Sequence, residues 1–222
     1  MNLSWLVVVP LLLSACNSQT PRSSRLDELP LSLGNEWTLV QENYRLFLKV
    51  ADTIRIGNVL FYELEEKASN SKPPSVVRKR LYTYNSAGSV LTAERLSDTS
   101  YLPMWIKLNL IARNDISQAD SFLISNWYKR GATVGESWSA VSGSPFEPSH
   151  IYPYRIILES STDTVVTAGK TYYNCLRYYI DDLQESDSEY WDWLAEGIGI
   201  VKRVYLSPQG KPFILRSYIV AE

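Results

Sequence analysis

An all-β antiparallel fold with at most a short helix is what this sequence predicts. Three observations carry the prediction. Apolar residues alternate with a period of two in one segment after another, as at Leu46, Leu48 and Val50 or at Tyr154, Ile156 and Leu158. Turn signals rich in Gly, Pro, Asn and Ser separate these segments at short intervals, and no long stretch repeats with the helical period. Tyr and Trp, which favour strands, number 15 and 7.

The elements follow in order. Trp5 to Leu13 is an apolar run far short of the ~20 residues that span a bilayer, and Pro10 interrupts it. With the small residues after it, the run reads as a signal peptide over 1–15. Leu13-Ser14-Ala15-Cys16 resembles the lipobox of bacterial lipoproteins. That resemblance implies a diacylglyceryl thioether and an acylated amine on Cys16, which makes this residue the site of lipid attachment. Asn17 follows rather than Asp, which in lipoproteins of enterobacterial type implies the outer membrane, with the protein facing the periplasm. Residues 16–29 are the lipidated cysteine and a polar tether. About 13 flexible residues span roughly 20 Å on average.

The β-rich domain is expected over 30–222. Val59 to Leu64 is a β-favouring run, Ser69 to Ser75 a loop, and Val76 to Tyr84 a strand that turns at Asn85-Ser86-Ala87-Gly88 into Val90 to Leu96. Ile106, Leu108 and Leu110 line one face of another strand. Ser117 to Trp127 is ambiguous and could hold a short helix. Beyond Tyr154 to Leu158, Asp163 to Thr167 leads through Ala168-Gly169 to Tyr172 to Ile180. Tyr190 to Leu194 and Ile198 to Leu206 read as a hairpin around Glu196-Gly197, and Phe213 to Val220 is the last strand. One echo stands out. Leu33-Gly34-Asn35-Glu36-Trp37 opens the domain, and Val134-Gly135-Glu136-Ser137-Trp138 repeats its glycine-to-tryptophan spacing about 100 residues on. Two related halves, near 30–133 and 134–222, are one reading of it.

Ala168-Gly169, Asn174-Cys175-Leu176-Arg177, Tyr190-Trp191 and Ala195-Glu196-Gly197-Ile198-Gly199-Ile200-Val201-Lys202 form an ordered pattern. With Pro30-Leu31-Ser32-Leu33-Gly34-Asn35-Glu36-Trp37, it resembles a group of β-rich envelope lipoproteins and periplasmic domains that have no assigned reaction. Lys170-Thr171 is an insertion relative to that pattern, and Glu196 stands where it has Pro. The resemblance implies a curved antiparallel sheet or barrel and no particular chemistry. Gly197 and Gly199 fit a tight turn and a bulge. Trp191 and Trp193, two apart on a strand, share a face. They are packing residues or a binding platform.

The chemistry-bearing residues are sparse. A net charge of −2 gives no electrostatic footprint for nucleic acid. His150 is the sole histidine and sits in a Pro-rich loop, so neither a zinc site nor a His-based nucleophile site is expected. Gly135-Glu136-Ser137-Trp138-Ser139 lacks the closing Gly of a nucleophile elbow. Cys175 is expected to be a buried thiol sharing a face with Tyr173 and Arg177. Asp181, Asp182, Glu185, Asp187 and Glu189 form an acidic run that lacks the glycine of a calcium loop. Arg78-Lys79-Arg80 reads as a solvated edge. No cofactor and no metal are expected. The expected function is a membrane-anchored envelope lipoprotein with a non-catalytic binding or assembly role, its partner an envelope protein or an apolar ligand. A carrier of an apolar ligand in a half-barrel and a carboxylate-based glycan hydrolase are the alternatives.

Overall fold

The computed structural model describes residues 29–69, 75–95, 116–119, 122–143, 151–167, 169–184, 189–206 and 211–219. Thirteen strands lie within them: β1 (Glu36–Gln41), β2 (Tyr44–Ile56), β3 (Val59–Ser69), β4 (Ser75–Tyr84), β5 (Val90–Arg95), β6 (Ile116–Ala119), β7 (Phe122–Tyr128), β8 (Ser137–Gly143), β9 (Ile151–Thr167), β10 (Lys170–Asp182), β11 (Tyr190–Ala195), β12 (Gly199–Tyr205) and β13 (Phe213–Ile219). They form one antiparallel sheet in the order β6-β7-β5-β4-β3-β2-β1-β13-β12-β11-β10-β9-β8, nearly closed into a barrel, and no helix is present among the described residues. The all-β prediction is met. The helix considered within Ser117 to Trp127 is corrected: Phe122, Leu123, Ile124 and Ser125 alternate between half-buried and buried, and the segment pairs as β6 and β7. The expected strand at Ile106 to Leu110 lies outside the described residues, as do Cys16 and His150.

The order contains a repeat. Reading from β7 to β1 and from β13 to β8, each run has six strands; the second is a meander, and the first matches it except that β6, on the far edge of β7, comes between β5 and β7 in the chain. The two Gly-to-Trp stretches open these halves with the same bonds. Gly34 and Gly135 hold φ of 92° and 90°, a region that favours glycine. The Gly34 N–H donates to Val50 O and receives the return bond through Val50 N–H to Asn35 O. Gly135 and Glu136 exchange the same bonds with Leu158, at 2.7 and 3.1 Å. Leu33 and Val134, one residue earlier, are both 57% exposed. Trp37 and Trp138 are both buried, each donating its indole N–H to a carbonyl, Ile198 O and Asn126 O.

The halves join differently at their two seams. β1 and β13 share a backbone ladder from Glu36↔Ile219 to Val40↔Ile214. β8 has no ladder partner on its other side among the described residues, because β6 already pairs with the edge of β7. Side chains close the gap. Ser125 Oγ accepts from Val141 N–H at 3.1 Å, and Thr92 Oγ1 donates to Val141 O at 3.3 Å.

The interior holds one large apolar cluster that includes Trp37, Leu48, Val50, Trp127, Trp138, Ile156, Tyr178 and Val201. The tip of the β2–β3 hairpin adds a smaller one, Ile56, Phe61 and Ala93. Bulges bend β9 and β10 beyond Arg177. Their tip folds over the outer face of β11, where Asp163 accepts from the Trp193 indole at 2.7 Å. Asn174 has a positive φ of 54° at this bend, and it breaks the alternation expected around Cys175. Cys175 is buried as expected, but Tyr173 is 70% exposed and it is Tyr172 that accompanies the thiol inward.

Candidate functional site

Four places combine polar chemistry with burial, and each is set by strand register. The first is inside the barrel. β4 lies between β3 and β5, so Arg78-Lys79-Arg80 is no edge. Lys79 points out to Glu63 and Glu65, at 2.5 and 3.0 Å, while Arg80 points in and is 4% exposed. Its Nε donates to Ser142 Oγ at 3.0 Å, and its guanidinium lies 4.4 Å over the Trp127 ring. Neither Arg80 Nη2 nor the Trp127 indole nitrogen has a partner among the described residues. On the other half, Arg203 holds Asp192 in a two-pronged bond of 2.6 and 2.8 Å, reaches Glu66 at 3.2 Å and stacks on Tyr190 at 4.7 Å. Tyr128 donates to the same carboxylate at 2.7 Å. Burial opposes the charge on Arg203, but Asp192 and Glu66 outweigh it and hold the guanidinium well above its usual range. Burial also pushes the Tyr82 phenol up to about 12. These groups build a buried polar core around two arginines, Arg203 held by two carboxylates and Arg80 by hydroxyls.

The second place is the outer face of β11. Trp191 and Trp193 do share it. The half-buried Trp191 donates to Glu159 at 3.1 Å and its ring lies 5.1 Å from Tyr179. Trp193 is 8% exposed, covered by the β9–β10 tip and by Lys202, whose ammonium sits 4.0 Å over its ring. Arg177 brings Glu159 and Asp163 together, at 3.1 Å from each. Burial resists the charge on Asp163, but hydrogen bonds from Ser160 and Trp193 and the charge of Arg177 hold its carboxyl below the usual range. A carboxyl held that way suits an ion pair better than proton donation. Reaching Trp193 would require the hairpin tip to lift, whereas Trp191 keeps part of its ring open.

The third place is Cys175. Its thiol donates weakly to Tyr172 O at 3.6 Å, and burial pushes its pKa up. A thiol so placed is a poor nucleophile. Nearby in sequence, the acidic run splits: Asp181 pairs with Arg155 at 2.6 Å, and Asp182 accepts from Gln184 N–H at 3.0 Å.

The fourth is a cleft of about 320 Å³ at the barrel mouth of the second half. Leu158, Leu176, Tyr178 and Leu194 form its walls, and Arg130, Ala132, Ser161, Asn174 and Glu196 its rim. Lys129, also at the rim, is paired with Glu136. The Arg130 side chain lies along Gly88, so close that a methyl group there would meet its Nη1 at 2.6 Å, and no carboxylate pairs with it among the described residues. The volume is at the low end for small-molecule sites, about 300–1,000 Å³. Sequence reasoning missed this cleft. Its signal was present, because the echo runs back eight residues from each tryptophan: 29–37 aligns with 130–138 without a gap. That alignment sets Leu29 beside Arg130 and Leu31 beside Ala132.

The glycines of the Ala195-to-Lys202 motif serve the other mouth. Gly197 and Gly199 hold φ of 66° and 92°, and a methyl group on Gly199 would meet both Leu29 and the Trp37 indole at 3.1 Å. The motif therefore receives the opening segment of the domain.

No family model matches the chain, and no curated protein matches it. Two solved structures are similar. A candidate lipoprotein from Parabacteroides distasonis has a TM-score of 0.46 and 10% identity, over 87% of this chain and 99% of its own. A candidate exported protein with a YmcC-like fold from Bacteroides fragilis has a TM-score of 0.45 and 12% identity, over 86% of this chain and 98% of its own.

Proposed function

We propose that this chain is an envelope lipoprotein, held to the outer membrane by lipid on Cys16 and facing the periplasm, whose barrel binds a partner rather than transforming a substrate. The observation that carries the binding reading is the second-half mouth: an apolar-walled cleft of about 320 Å³ with a polar rim. Lys129 at that rim is committed to Glu136, and the ion pairs elsewhere are committed to one another. The membrane part of the reading rests on the apolar run and Leu13-Ser14-Ala15-Cys16. Each methylene of an acyl chain adds about 0.8 kcal/mol of membrane affinity, so more than one chain holds a protein stably.

Two measurements test this. Intact mass of the membrane-extracted protein is expected to show Cys16 as the first residue with acyl chains attached, and Cys16→Ser is expected to accumulate an unlipidated precursor. Cross-linking in the native envelope, read by mass spectrometry, is expected to recover adducts at the barrel mouth. Turnover of a hydrolase substrate that disappears on replacing one carboxylate would overturn the binding reading.

A further inference from the structure

From the contrast between the two barrel mouths, we infer that the second-half cleft is a receptor for a leucine-bearing extended segment of another envelope protein. This rests on the binding reading above and names its ligand.

The first half shows what such a cleft looks like when filled. Its mouth has the corresponding walls: Val50 sits where Leu158 does, by the glycine bonds, and the ladders carry that row on to Leu64 opposite Tyr178 in the comparison. There the chain itself supplies the plug. Leu29 and Leu31 are 0% and 5% exposed, in the same cluster as Val50, Leu64 and Tyr82. The Tyr84 hydroxyl holds the plug by its backbone, donating to Leu29 O and accepting from Leu31 N–H at 3.0 Å. One hydroxyl thus reads a carbonyl and an amide of an extended segment.

The second half keeps the walls and loses the plug. Ala132 stands where Leu31 does, and the row that places Tyr84 at the first rim places Glu196 at the second. A side chain shortened from leucine to alanine leaves its volume behind, and the cleft of about 320 Å³ is lined by Ala132 and Glu196. A water takes about 30 Å³ in the liquid, so the space suits about ten heavy atoms, the size of one or two branched apolar side chains. The rim chemistry fits a peptide. Arg130 offers N–H donors with no ion-pair partner among the described residues, and the Glu196 carboxylate is an acceptor. Together they supply the donor and the acceptor that Tyr84 combines, which suits a backbone carbonyl and amide and not an apolar chain alone.

The test uses the chain's own plug as probe. The full mature lipoprotein in phospholipid nanodiscs is titrated with a labelled peptide of residues 28–33, Glu-Leu-Pro-Leu-Ser-Leu, against empty nanodiscs as the blank. Saturable one-to-one binding is expected. Ala132→Leu, which restores the plug residue, is expected to weaken it at least about tenfold, and replacing the peptide's leucines by alanine to do the same. Arg130→Gln and Glu196→Gln are each expected to weaken it by about threefold or more. Should Ala132→Leu not fold, Ala132→Val takes its place, and a photo-reactive leucine in the peptide is expected to cross-link to Leu158, Tyr178 or Leu194. Binding unchanged by either Ala132 variant, cross-links that map elsewhere, or capture of decanoate with no capture of the peptide would each overturn the assignment. Failure of the peptide with envelope cross-links still formed at the mouth sinks the ligand and spares the binding reading. Absence of both sinks the two together.

Discussion

The two halves of this barrel are built to one plan and finished differently. In each, a glycine at positive φ opens the first strand, bonds to the second strand and sends a tryptophan inward. The differences lie at the seams and in one interior row. The first seam is a backbone ladder between β1 and β13, and the second is closed by hydroxyls of Thr92 and Ser125. In the row, β4 carries Arg80 toward Glu94 with Ser142 Oγ between them, at 3.0 and 3.3 Å. β11 carries Asp192 directly onto Arg203, with the signs exchanged. Backbone plan and side-chain finish are therefore separable: hydrogen bonding fixes the strand order, and the side chains decide which mouth is filled.

The sharpest test of this comparison is the interior row. Asp192 and Arg203 are 0% and 3% exposed. Asp192→Ala takes the two-pronged partner from a buried guanidinium and leaves it Glu66 alone, and breaking a buried pair costs about 3–5 kcal/mol. Ser142→Ala, on β8, removes the one neutral hydroxyl that stands between Arg80 and Glu94 of the first half and is expected to cost about 1–2 kcal/mol. Denaturant unfolding of the two variants reads the difference. Equal losses would mean that the row plays one part in both halves and that its reversed signs carry no consequence.

Next come the mouths. Leu31→Ala carves into the first half the space that the second already has, and truncating a buried leucine costs about 2–5 kcal/mol. The reverse change, Ala132→Leu, is expected to leave the unfolding midpoint unchanged or raise it, because the walls already accommodate leucine in the first half. A large destabilisation by Ala132→Leu would show that the two mouths differ in more than their plugs.

The seams predict a smaller effect, visible without mutation. Amides in the β1–β13 ladder, such as Thr38 and Ser217, are expected to exchange with solvent deuterium only in larger openings. Val141, whose N–H is held by a serine hydroxyl, is expected to exchange in a local one, by one to two decades faster. Matching protection at both seams would mean that closure by hydroxyls is as firm as a ladder.

Much of this plan was legible in the sequence. Alternation at Leu46 to Val50 and Tyr154 to Leu158 marked long strands, and Gly34 and Gly135 marked where each half begins. Three features were not legible, for physical reasons. Trp127, Tyr128 and their neighbours read ambiguously because Ser125 and Trp127 are both inward, and a mixed polar and aromatic face has no clean period. Arg80 read as a solvated residue because nothing local shows that β4 is central in the sheet. Tyr173 was placed beside Cys175 because a positive φ at Asn174 cannot be foreseen from alternation alone. The cleft was missed because it is defined by what Ala132 lacks, and an absence shows only against the other half.

The smallest expected effect concerns the outer face of β11, where, among the described residues, the second half alone carries a hairpin tip bonded to tryptophan. Asp163 fastens that tip to Trp193 and Arg177, and its side chain is 22% exposed. Burial alone would raise its pKa, but the bonds from Ser160 and Trp193 and the Arg177 charge lower it in the folded state. A carboxyl depressed on folding stabilises above its unfolded pKa, about 3.9, and that stability is lost as pH falls through the folded value. Lys202 nearby is pulled below its usual range by burial, yet an ammonium stays protonated throughout that acid window and does not mask the effect. Asp163→Asn is therefore expected to lower stability by at most about 1 kcal/mol at pH 7, in the range of partly exposed pairs. The gap between the wild type and the variant is expected to close below pH about 4. Unfolding midpoints measured from pH 7 to pH 2 follow it. A gap that persists at pH 2 would assign the role of Asp163 to hydrogen bonding alone, and the ionic account of how this tip is fastened would fail.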